Sequence, residues 1–294
     1  MVVSNSLPEL KQHAPEAGAI LYAYHDGDLL TGILPLAKQA RWIHSLWTGV
    51  EGIVGPEMQA HPATLTNGRG VFRWPLADWV IAAMLFFAFD LRRVIRQQEQ
   101  GVWKVVNGAT LGGRMLGIAG YGAIGSAAAA RARAFGMKIG ALRRRGDLFR
   151  GDPLVDRNYA PAELKDLLAA SDYVLVAMPL TNETRGMIGA GEIAAMKPSA
   201  VIINVGRGAV IDEAALAGAL ESKKIRGAAL DVFEVEPLPA GHPFWKMDNV
   251  LLSPHTADRV EGFMDPAFDC FLDNLDRLRQ GQPLCNVVDK HAGY

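Results

Sequence analysis

The sequence has little cysteine, no visible secretory signal and no apolar run long enough to cross a bilayer. Its two cysteines, Cys270 and Cys285, form neither a disulfide framework nor a metal-binding pair, which fits a reducing, cytoplasmic setting. The N-terminus shows no basic region followed by an apolar stretch. The longest apolar run, from Trp79 to Phe89, is well short of the roughly 20 residues that span a membrane. We therefore expect a buried helix there and no membrane association.

The chain also lacks an excess of charge of either sign. Among its 294 residues, 30 Lys and Arg oppose 31 Asp and Glu, half are hydrophobic and 21% are charged. This composition is typical of a globular protein, so we expect neither a disordered tail nor a nucleic-acid-binding protein. The length predicts two domains, or one large one, with a full hydrophobic core.

Short apolar segments alternate with Ala- and Leu-rich segments of helical length. The predicted strands are residues 19–24, 115–119, 137–142, 173–178, 200–205 and 249–253, and the predicted helices are residues 124–135, 160–169, 213–222 and 263–278. The alternation indicates βαβ units, and so an α/β fold with a parallel sheet covered on both faces. Because the pattern before Arg73 is separate and weaker, we place a domain boundary near that residue.

A glycine-rich turn joins the strand at residues 115–119 to a predicted helix. It is a G-x-G-x-x-G motif in the strand–turn–helix context that dinucleotide-binding folds require. The first glycine permits the tight turn, the second lets a pyrophosphate approach the backbone, and the third brings the helix against the strand. The predicted cofactor-binding residues here are Gly120, Gly122, Ala123, Ile124 and Gly125. A glycine-rich loop without a ligand is the alternative.

The next predicted strand ends at Leu142 and is followed by Arg143, Arg144 and Arg145. A carboxylate at this point binds the ribose 2′-hydroxyl of NAD, whereas an arginine accommodates the 2′-phosphate of NADP. We therefore assign these four residues to cofactor binding and predict a preference for NADPH (NADP+), with NADH possible. Residues 131–150 hold seven basic residues and one acidic residue, so a solvated basic loop is the alternative.

Five motifs, in order and at similar spacing, resemble the D-isomer-specific 2-hydroxyacid dehydrogenases, which include glyoxylate and hydroxypyruvate reductases. They are GIAGYGAIG (117–125), MPLTNETRGMI (178–188), INVGRGAVIDEAAL (203–216), ALDVFEVEPLP (229–239) and NVLLSPHTA (249–257). The resemblance covers nearly the whole chain. It implies two doubly wound parallel-sheet domains: a Rossmann-type cofactor domain at residues 73–256, inserted into a smaller flavodoxin-like substrate domain at residues 1–72 and 257–294.

The same resemblance implies that Arg207, Glu236 and His255 are catalytic. Reduction of a 2-oxo acid builds negative charge on the carbonyl oxygen, so a proton donor with a pKa near neutrality has to stand beside it. Histidine suits that role, and a neighbouring carboxylate favours the imidazolium. Arginine supplies a planar fork for the substrate carboxylate and carbonyl. Considered alone, each of the three residues could instead have a purely structural role.

Further site residues follow from the resemblance alone. Those expected to line the cofactor are Pro179, Thr184, Val205, Gly206 and Asp231, of which Asp231 matches the family acid near the nicotinamide amide. Those expected to bind substrate are Trp47, Thr48, Gly49, Val50, Arg69 and Arg207. A surface position is the alternative for Arg69.

The sequence departs from the family pattern at three places. Arg143 replaces the usual acid after the second strand, Asp258 and Arg259 follow the histidine motif where small residues are usual, and the N-terminal segment leaves little room for a first strand. The predicted function is NADPH-dependent reduction of a small 2-oxo acid, such as glyoxylate or hydroxypyruvate, to the D-2-hydroxy acid. An NAD(P)-sensing regulatory protein with little turnover is the alternative.

The resemblance also implies a homodimer. The segment from Leu76 to Phe89, with the following arm to Trp103, matches the part of the cofactor domain through which family members pair. Ordinary core packing is the alternative for this helix. We expect no metal.

Overall fold

The computed structural model describes the whole chain except His25, residues 145–151 and Tyr294. Its strands are β1 (Ala19–Tyr22), β2 (Trp42–Ser45), β3 (Thr64–Asn67), β4 (Met115–Ala119), β5 (Lys138–Leu142), β6 (Arg157–Tyr159), β7 (Tyr173–Val176), β8 (Val201–Asn204), β9 (Gly227–Leu230) and β10 (Val250–Leu252). Its α-helices are α1 (Leu7–His13), α2 (Asp28–Ile33), α3 (Pro56–Ala60), α4 (Arg73–Ala88), α5 (Leu91–Glu99), α6 (Ala123–Ala134), α7 (Leu164–Ala170), α8 (Ala190–Ala195), α9 (Glu213–Glu221) and α10 (Asp265–Arg279).

The chain divides into two compact units. The smaller comprises Met1–Phe72 and Val260–Tyr294, and the larger is Arg73–Arg259. The second boundary therefore follows Arg259 and not residue 256. The difference has a physical cause, because the backbone N–H groups of Thr256 and Ala257 both donate to the Asp231 carboxylate of the larger unit.

The smaller unit contains a parallel sheet in the order β1-β2-β3. The strand order is sequential within the described residues, without the reversal that a complete flavodoxin-like sheet has. Residues before β1 form α1 and a short 3-10 turn. The buried Trp42 of β2 stacks on Phe271 of α10 at 5.2 Å between ring centroids, so the predicted C-terminal amphipathic helix covers this sheet.

A histidine lies in the middle strand of that small sheet. His44 is fully buried, and its Nδ1 lies 2.7 Å from Thr66 Oγ1, which also accepts the Trp42 indole N–H. Burial lowers the pKa of His44 to about 4. The side chain is therefore neutral at neutral pH and belongs to the core of this unit.

The described part of the larger unit contains seven parallel strands in the order β10-β9-β8-β7-β4-β5-β6. This is the Rossmann order with one added strand, and the direction of winding reverses between β4 and β7. Strands β7, β8 and β9 are buried along their whole length. Helices α4 and α6 cover one face, and α7, α8 and α9 cover the other. The prediction of α/β architecture with two parallel-sheet domains is confirmed.

The longest apolar run forms most of α4, whose core-facing residues are buried. Within the described chain, no single helix is long and apolar enough to cross a membrane. The pair of α4 and α5 meets the length and composition together, but it is bent by 67°.

Candidate active site

Six of the loops at the carboxyl edge of the large sheet carry predicted site residues. In sheet order they follow β10, β9, β8, β7, β4 and β5, and they carry His255, Glu236, Arg207, Thr184, Gly120 and Arg143 in that order. Parallel strands end at the same edge, which is where open α/β sheets bind their ligands. The predicted cofactor and catalytic residues of the larger unit therefore occupy one continuous edge.

The three glycines of the turn after β4 meet three different demands. Gly120 has φ of 101°, and a Cβ there would lie 2.7 Å from the Ala177 carbonyl carbon and from the Met178 nitrogen. A Cβ on Gly125 would lie 2.7 Å from the Gly120 oxygen, so only glycine lets α6 approach β4 this closely. A Cβ on Gly122 would meet no protein atom within 4 Å. The structure therefore demands the first and third glycines and leaves open space at the second.

That open space lies at the beginning of α6. Gly122 is the N-cap, and Ala123 and Ile124 form the first turn, where backbone N–H groups have no partner inside the helix. A helix N-terminus beside open space is a site for an anion such as a pyrophosphate. The residues present therefore fit a dinucleotide.

Arg143 lies against the glycine-rich turn. Its Nε donates to the Tyr121 carbonyl at 2.8 Å, and its guanidinium carbon lies 5.3 Å from the centroid of the Tyr121 ring. The Leu142 side chain is in the core, and its carbonyl accepts the N–H groups of Gly120 and Tyr121, both at 3.2 Å. Backbone contacts at Leu142 and a side-chain contact at Arg143 thus tie the end of β5 to the turn after β4.

The neighbouring arginines differ from Arg143. Arg144 is exposed, and its Nη1 lies 3.3 Å from the Glu183 carboxylate. Arg145 lies outside the described residues. Of the two described arginines, Arg143 donates to the glycine-rich turn and Arg144 pairs with Glu183.

The loops after β7 and β8 pack backbone to backbone. Thr184 Oγ1 donates to the Pro179 carbonyl at 2.7 Å, which closes the turn after β7. A Cβ on Gly206 would lie 2.8 Å from the Met178 oxygen, so glycine is required there too. The Val205 N–H donates to Val176 and extends the β7–β8 ladder by one residue. The predicted cofactor-lining segments are therefore adjacent.

Asn204 organises the loop that carries Arg207, and it is not among the residues predicted from the sequence. The side chain is 1% exposed, its Oδ1 accepts the Gly206 N–H at 3.0 Å, and its Nδ2 donates to the Arg207 carbonyl at 3.1 Å. Arg207 Nη1 in turn donates to the Gly206 carbonyl at 2.8 Å. The signal in the sequence that could have identified Asn204 is an amide side chain at the end of an apolar strand.

His255 and Glu236 form a hydrogen-bonded pair. The distance from His255 Nδ1 to Glu236 Oε2 is 2.7 Å, while Glu236 Oε1 accepts the Phe233 N–H at 2.9 Å. The hydrogen bond to Glu236 raises the pKa of His255 above its ordinary value, although burial and the Arg207 charge oppose this effect. Burial alone would raise the pKa of Glu236, but the bonds from His255 and Phe233 outweigh it and lower that pKa.

Asp231 holds the loop in which His255 lies. Its Oδ1 accepts hydrogen bonds from the Ser253 hydroxyl at 2.6 Å and from the N–H groups of Thr256 and Ala257 at 2.9 and 3.1 Å. Its carbonyl accepts the His255 N–H at 2.8 Å. Burial raises the pKa of Asp231, and these donors oppose the shift. His255 has φ of 52°, a left-handed conformation that is uncommon outside glycine and that these bonds hold in place.

The predicted substrate residues of the smaller unit gather around Asn67. Asn67 Nδ2 donates to the Thr48 carbonyl at 2.7 Å and its Oδ1 accepts the Arg69 N–H at 3.2 Å, while Thr48 Oγ1 donates to the Gly68 carbonyl at 3.0 Å. The Trp47 indole donates to the Ala23 carbonyl at 2.8 Å. The Asn67 side chain therefore links the predicted segment at residues 47–50 to Arg69.

The backbone N–H groups of residues 48–50 are the next feature of this segment. Within the described chain, the N–H groups of Thr48, Gly49 and Val50 donate to no protein acceptor. The Val50 side chain is buried in the core of the smaller unit, which fixes the end of this segment.

A metal centre has no support in the described residues, which contain no cluster of three or more His, Cys, Asp or Glu side chains able to hold an ion. A glycine-rich turn at a helix N-terminus, together with a histidine–carboxylate pair at the same sheet edge, is typical of the dinucleotide-dependent dehydrogenases.

Comparison with known proteins identifies the family. Residues 81–257 match the family model described as D-isomer specific 2-hydroxyacid dehydrogenase, NAD binding domain. The chain belongs to the D-isomer specific 2-hydroxyacid dehydrogenase family. The predictions of family, enzyme class and a dinucleotide-binding domain are thereby confirmed.

Three similar proteins illustrate the relationship. The glyoxylate reductase of Korarchaeum cryptofilum is 34% identical over 296 residues, which cover 95% of this chain and 87% of the relative. The glyoxylate/hydroxypyruvate reductase B of Serratia proteamaculans is 33% identical over 288 residues, which cover 96% and 87%. The crystal structure of a family member from Xanthobacter autotrophicus Py2, in complex with NADPH and MES, has 32% identity, a TM-score of 0.83, and coverage of 96% of this chain and 86% of that one.

Substitution of single glycines separates folding from cofactor binding. Gly122→Ala should leave the melting temperature within about 2 °C of wild type, because its Cβ meets open space. It should nevertheless weaken dinucleotide binding about 10-fold, because the methyl group occupies the approach to the backbone. Gly120→Ala should lower the melting temperature, since φ of 101° and the Ala177 backbone both exclude a Cβ.

Thermal unfolding and fluorescence titration with NADPH and NADH measure the two effects. Gly218→Ala, at an exposed helical glycine with nothing within 4 Å of its Cβ, is the control: it should leave dinucleotide affinity unchanged and should raise the melting temperature slightly, because alanine favours the helix. Wild-type dinucleotide affinity in Gly122→Ala would contradict the role of this position.

Proposed function

We propose that the protein catalyses NADPH-dependent reduction of a small 2-oxo acid of the glyoxylate and hydroxypyruvate class to the D-2-hydroxy acid. The observation that carries the proposal is the hydrogen bond between His255 and Glu236, at the sheet edge that also bears the glycine-rich turn. The names of the Korarchaeum and Serratia relatives support the substrate class. The NADPH complex of the Xanthobacter structure supports the cofactor.

In this proposal His255 is the proton donor. NADPH, when bound, supplies the hydride, and the carbonyl oxygen of the substrate gains negative charge as reduction proceeds. Because Nδ1 is bonded to Glu236, the proton that His255 transfers is held on Nε2. The raised pKa of His255 increases the protonated fraction at neutral pH. Reduction should therefore slow as the pH rises through that pKa.

Each unit contains its own candidate group for binding a carboxylate. Arg207 offers a planar guanidinium that can bind a carboxylate and polarise a carbonyl, and Asn204 holds its backbone. Thr48, Gly49 and Val50 offer three successive N–H donors in the smaller unit. We propose a substrate-binding role for Arg207 in the larger unit and, on the family resemblance, for residues 48–50 with Trp47 and Arg69 in the smaller unit.

The cofactor is assigned to the larger unit. Gly120, Gly122, Ala123, Ile124 and Gly125 would bind the pyrophosphate, and Arg143 would be the main group for the 2′-phosphate, with Arg144 and Arg145 following it in the chain. Pro179, Thr184, Val205 and Gly206 would line the cofactor, and Asp231 would lie near the nicotinamide amide. Asp231 Oδ2 accepts no hydrogen bond from the described residues, which supports a role as acceptor for the nicotinamide amide.

Turnover of 2-oxo acids by wild type and by His255→Ala tests the proposal. Loss of NADPH absorbance should be observed with glyoxylate or hydroxypyruvate, and His255→Ala should lower kcat about 100-fold or more while leaving the Kd for NADPH nearly unchanged. His13→Ala, at an exposed histidine of α1, is the control and should behave as wild type.

Two results would contradict this assignment. Wild-type protein that binds NADPH without reducing any of a panel of 2-oxo acids would favour a nucleotide-sensing protein. Unchanged kcat in His255→Ala would remove this residue from proton transfer.

Arg143→Asp should move cofactor preference from NADPH towards NADH by about 10-fold or more in the ratio of kcat/KM, because a carboxylate repels the 2′-phosphate and binds the 2′-hydroxyl. Arg144→Asp provides the comparison and should change the ratio much less, since Arg144 pairs with Glu183 whereas Arg143 donates to the glycine-rich turn. A larger effect at Arg144 than at Arg143 would move phosphate recognition to the neighbouring residue.

We also propose a homodimer through the cofactor domain. After α5, the chain continues in an irregular arm whose apolar side chains face solvent: Trp103 is fully exposed and Val105 is 78% exposed. Val94 and Ile95 of α5 are exposed as well. An apolar surface of this kind is typical of a protein interface.

Trp103→Glu should convert a dimer into a monomer in size-exclusion chromatography with light scattering, because a carboxylate cannot be buried unpaired in an apolar interface. Trp245→Glu, at a half-exposed tryptophan of the same unit, is the control and should leave the mass unchanged. A monomeric wild type would contradict the dimer, as would a Trp103→Glu variant that stays dimeric.

A further inference from the structure

Two consecutive backbone N–H groups after β9 are bound by two different carboxylates. The Phe233 N–H donates to Glu236 Oε1 at 2.9 Å. The Glu234 N–H donates to Glu213, at 3.0 Å from Oε1 and 3.3 Å from Oε2. The turn from Phe233 to Glu236 therefore orients Glu236, and Glu213, which is not part of this turn, is hydrogen-bonded to it.

The carboxylate of Glu213 does not cap α9, the helix to which Glu213 belongs. The N-cap of α9 is Asp212, whose Oδ1 accepts the Ala215 N–H at 2.9 Å, so a side chain already caps the helix. Glu213 is the first helical residue, and its carboxylate reaches the loop after the neighbouring strand β9. The contact joins the loop that carries Arg207 to the loop that carries Glu236.

The backbone of the same two loops is in direct contact. A Cβ on Gly208 would lie 1.9 Å from the Phe233 carbonyl carbon and 2.4 Å from the Glu234 nitrogen. Any side chain at this position would push the Phe233–Glu234 peptide away. Gly208 permits the approach, and Glu213, five residues later, supplies the hydrogen bond that secures it.

We propose that Glu213 is a positioning residue: by binding the Glu234 N–H it holds the turn from Phe233 to Glu236, so that Glu236 Oε2 meets His255 Nδ1. The inference rests on the proposed role of His255 as proton donor. Glu213 itself touches neither His255 nor the reacting atoms in this scheme. The charged groups that face His255 are Glu236, Arg207 and Asp231, and of these the turn positions Glu236.

Two substitutions at Glu213 distinguish the effect of side-chain length from the effect of the negative charge. Glu213→Asp keeps the negative charge at the beginning of α9 but withdraws the acceptor by one methylene, whereas Glu213→Gln removes the charge and keeps an oxygen at the original reach. Glu221→Asp makes the matched change at the exposed far end of the same helix. All three should fold, because each retains a residue compatible with its helix position.

The main measurement is the titration of His255 by NMR, without substrate. Glu213→Asp should lower the pKa of His255 by about half a unit or more, because a displaced Glu236 stabilises the imidazolium less. Glu213→Gln and Glu221→Asp should titrate as wild type. The decline of kcat/KM with rising pH should move to lower pH in Glu213→Asp alone, while the Kd for NADPH should stay within about twofold of wild type.

An unchanged His255 titration in Glu213→Asp would overturn the inference. So would equal shifts in Glu213→Asp and Glu213→Gln, because the effect would then follow from altering the residue and not from its reach to Glu234. Because the titration needs no turnover, it decides the role of Glu213 even if wild type reduces no 2-oxo acid, an outcome that would reject the proposed function separately.

Discussion

The seven described strands of the large sheet all run in the same direction, and this constraint determines where the candidate functional groups of the larger unit lie. The loops that leave the carboxyl ends share one edge, and the order β10-β9-β8-β7-β4-β5 sets their sequence along it. His255 and Glu236 are adjacent because β10 and β9 are adjacent, although 18 residues separate them in the chain. The reversal of winding between β4 and β7 opens the edge at the glycine-rich turn.

Close backbone approach is the second requirement, and small residues satisfy it where loops from neighbouring strands touch. Gly120 lies against Ala177, Gly206 against Met178, and Gly208 against the Phe233–Glu234 peptide. At these points a Cβ would fall within 3 Å of a backbone atom, which a chain relieves only by moving a whole loop. The loops are consequently positioned by each other as well as by the strands, and buried polar side chains such as Asn204 satisfy the remaining backbone groups.

The sequence was sufficient for the parts of the fold that have a strong local pattern. Apolar runs predicted β4, β5, β7 and β8, but β9 has the sequence Gly-Ala-Ala-Leu, whose strand propensity is low. It forms because small side chains fit beneath α4, where a Cβ on Gly227 would lie 2.5 Å from the Phe87 ring. Motifs predicted Arg207, Glu236 and His255, whereas Asn204 and Glu213 act through contacts that exist only once two loops are adjacent.

Several opposing effects set the pKa of His255 in the histidine–carboxylate pair. Glu236 raises the pKa of His255, but burial and Arg207 lower it, so the imidazole is favoured in its protonated form without the strong stabilisation of an unopposed ion pair. A donor that held its proton much more firmly would release it slowly to a substrate oxygen, because proton transfer is most efficient when the pKa is near the working pH. Partial exposure of both side chains has the same consequence, since water screens their attraction. The geometry that brings Arg207 and Glu236 to neighbouring loops therefore also sets the balance of charge around His255.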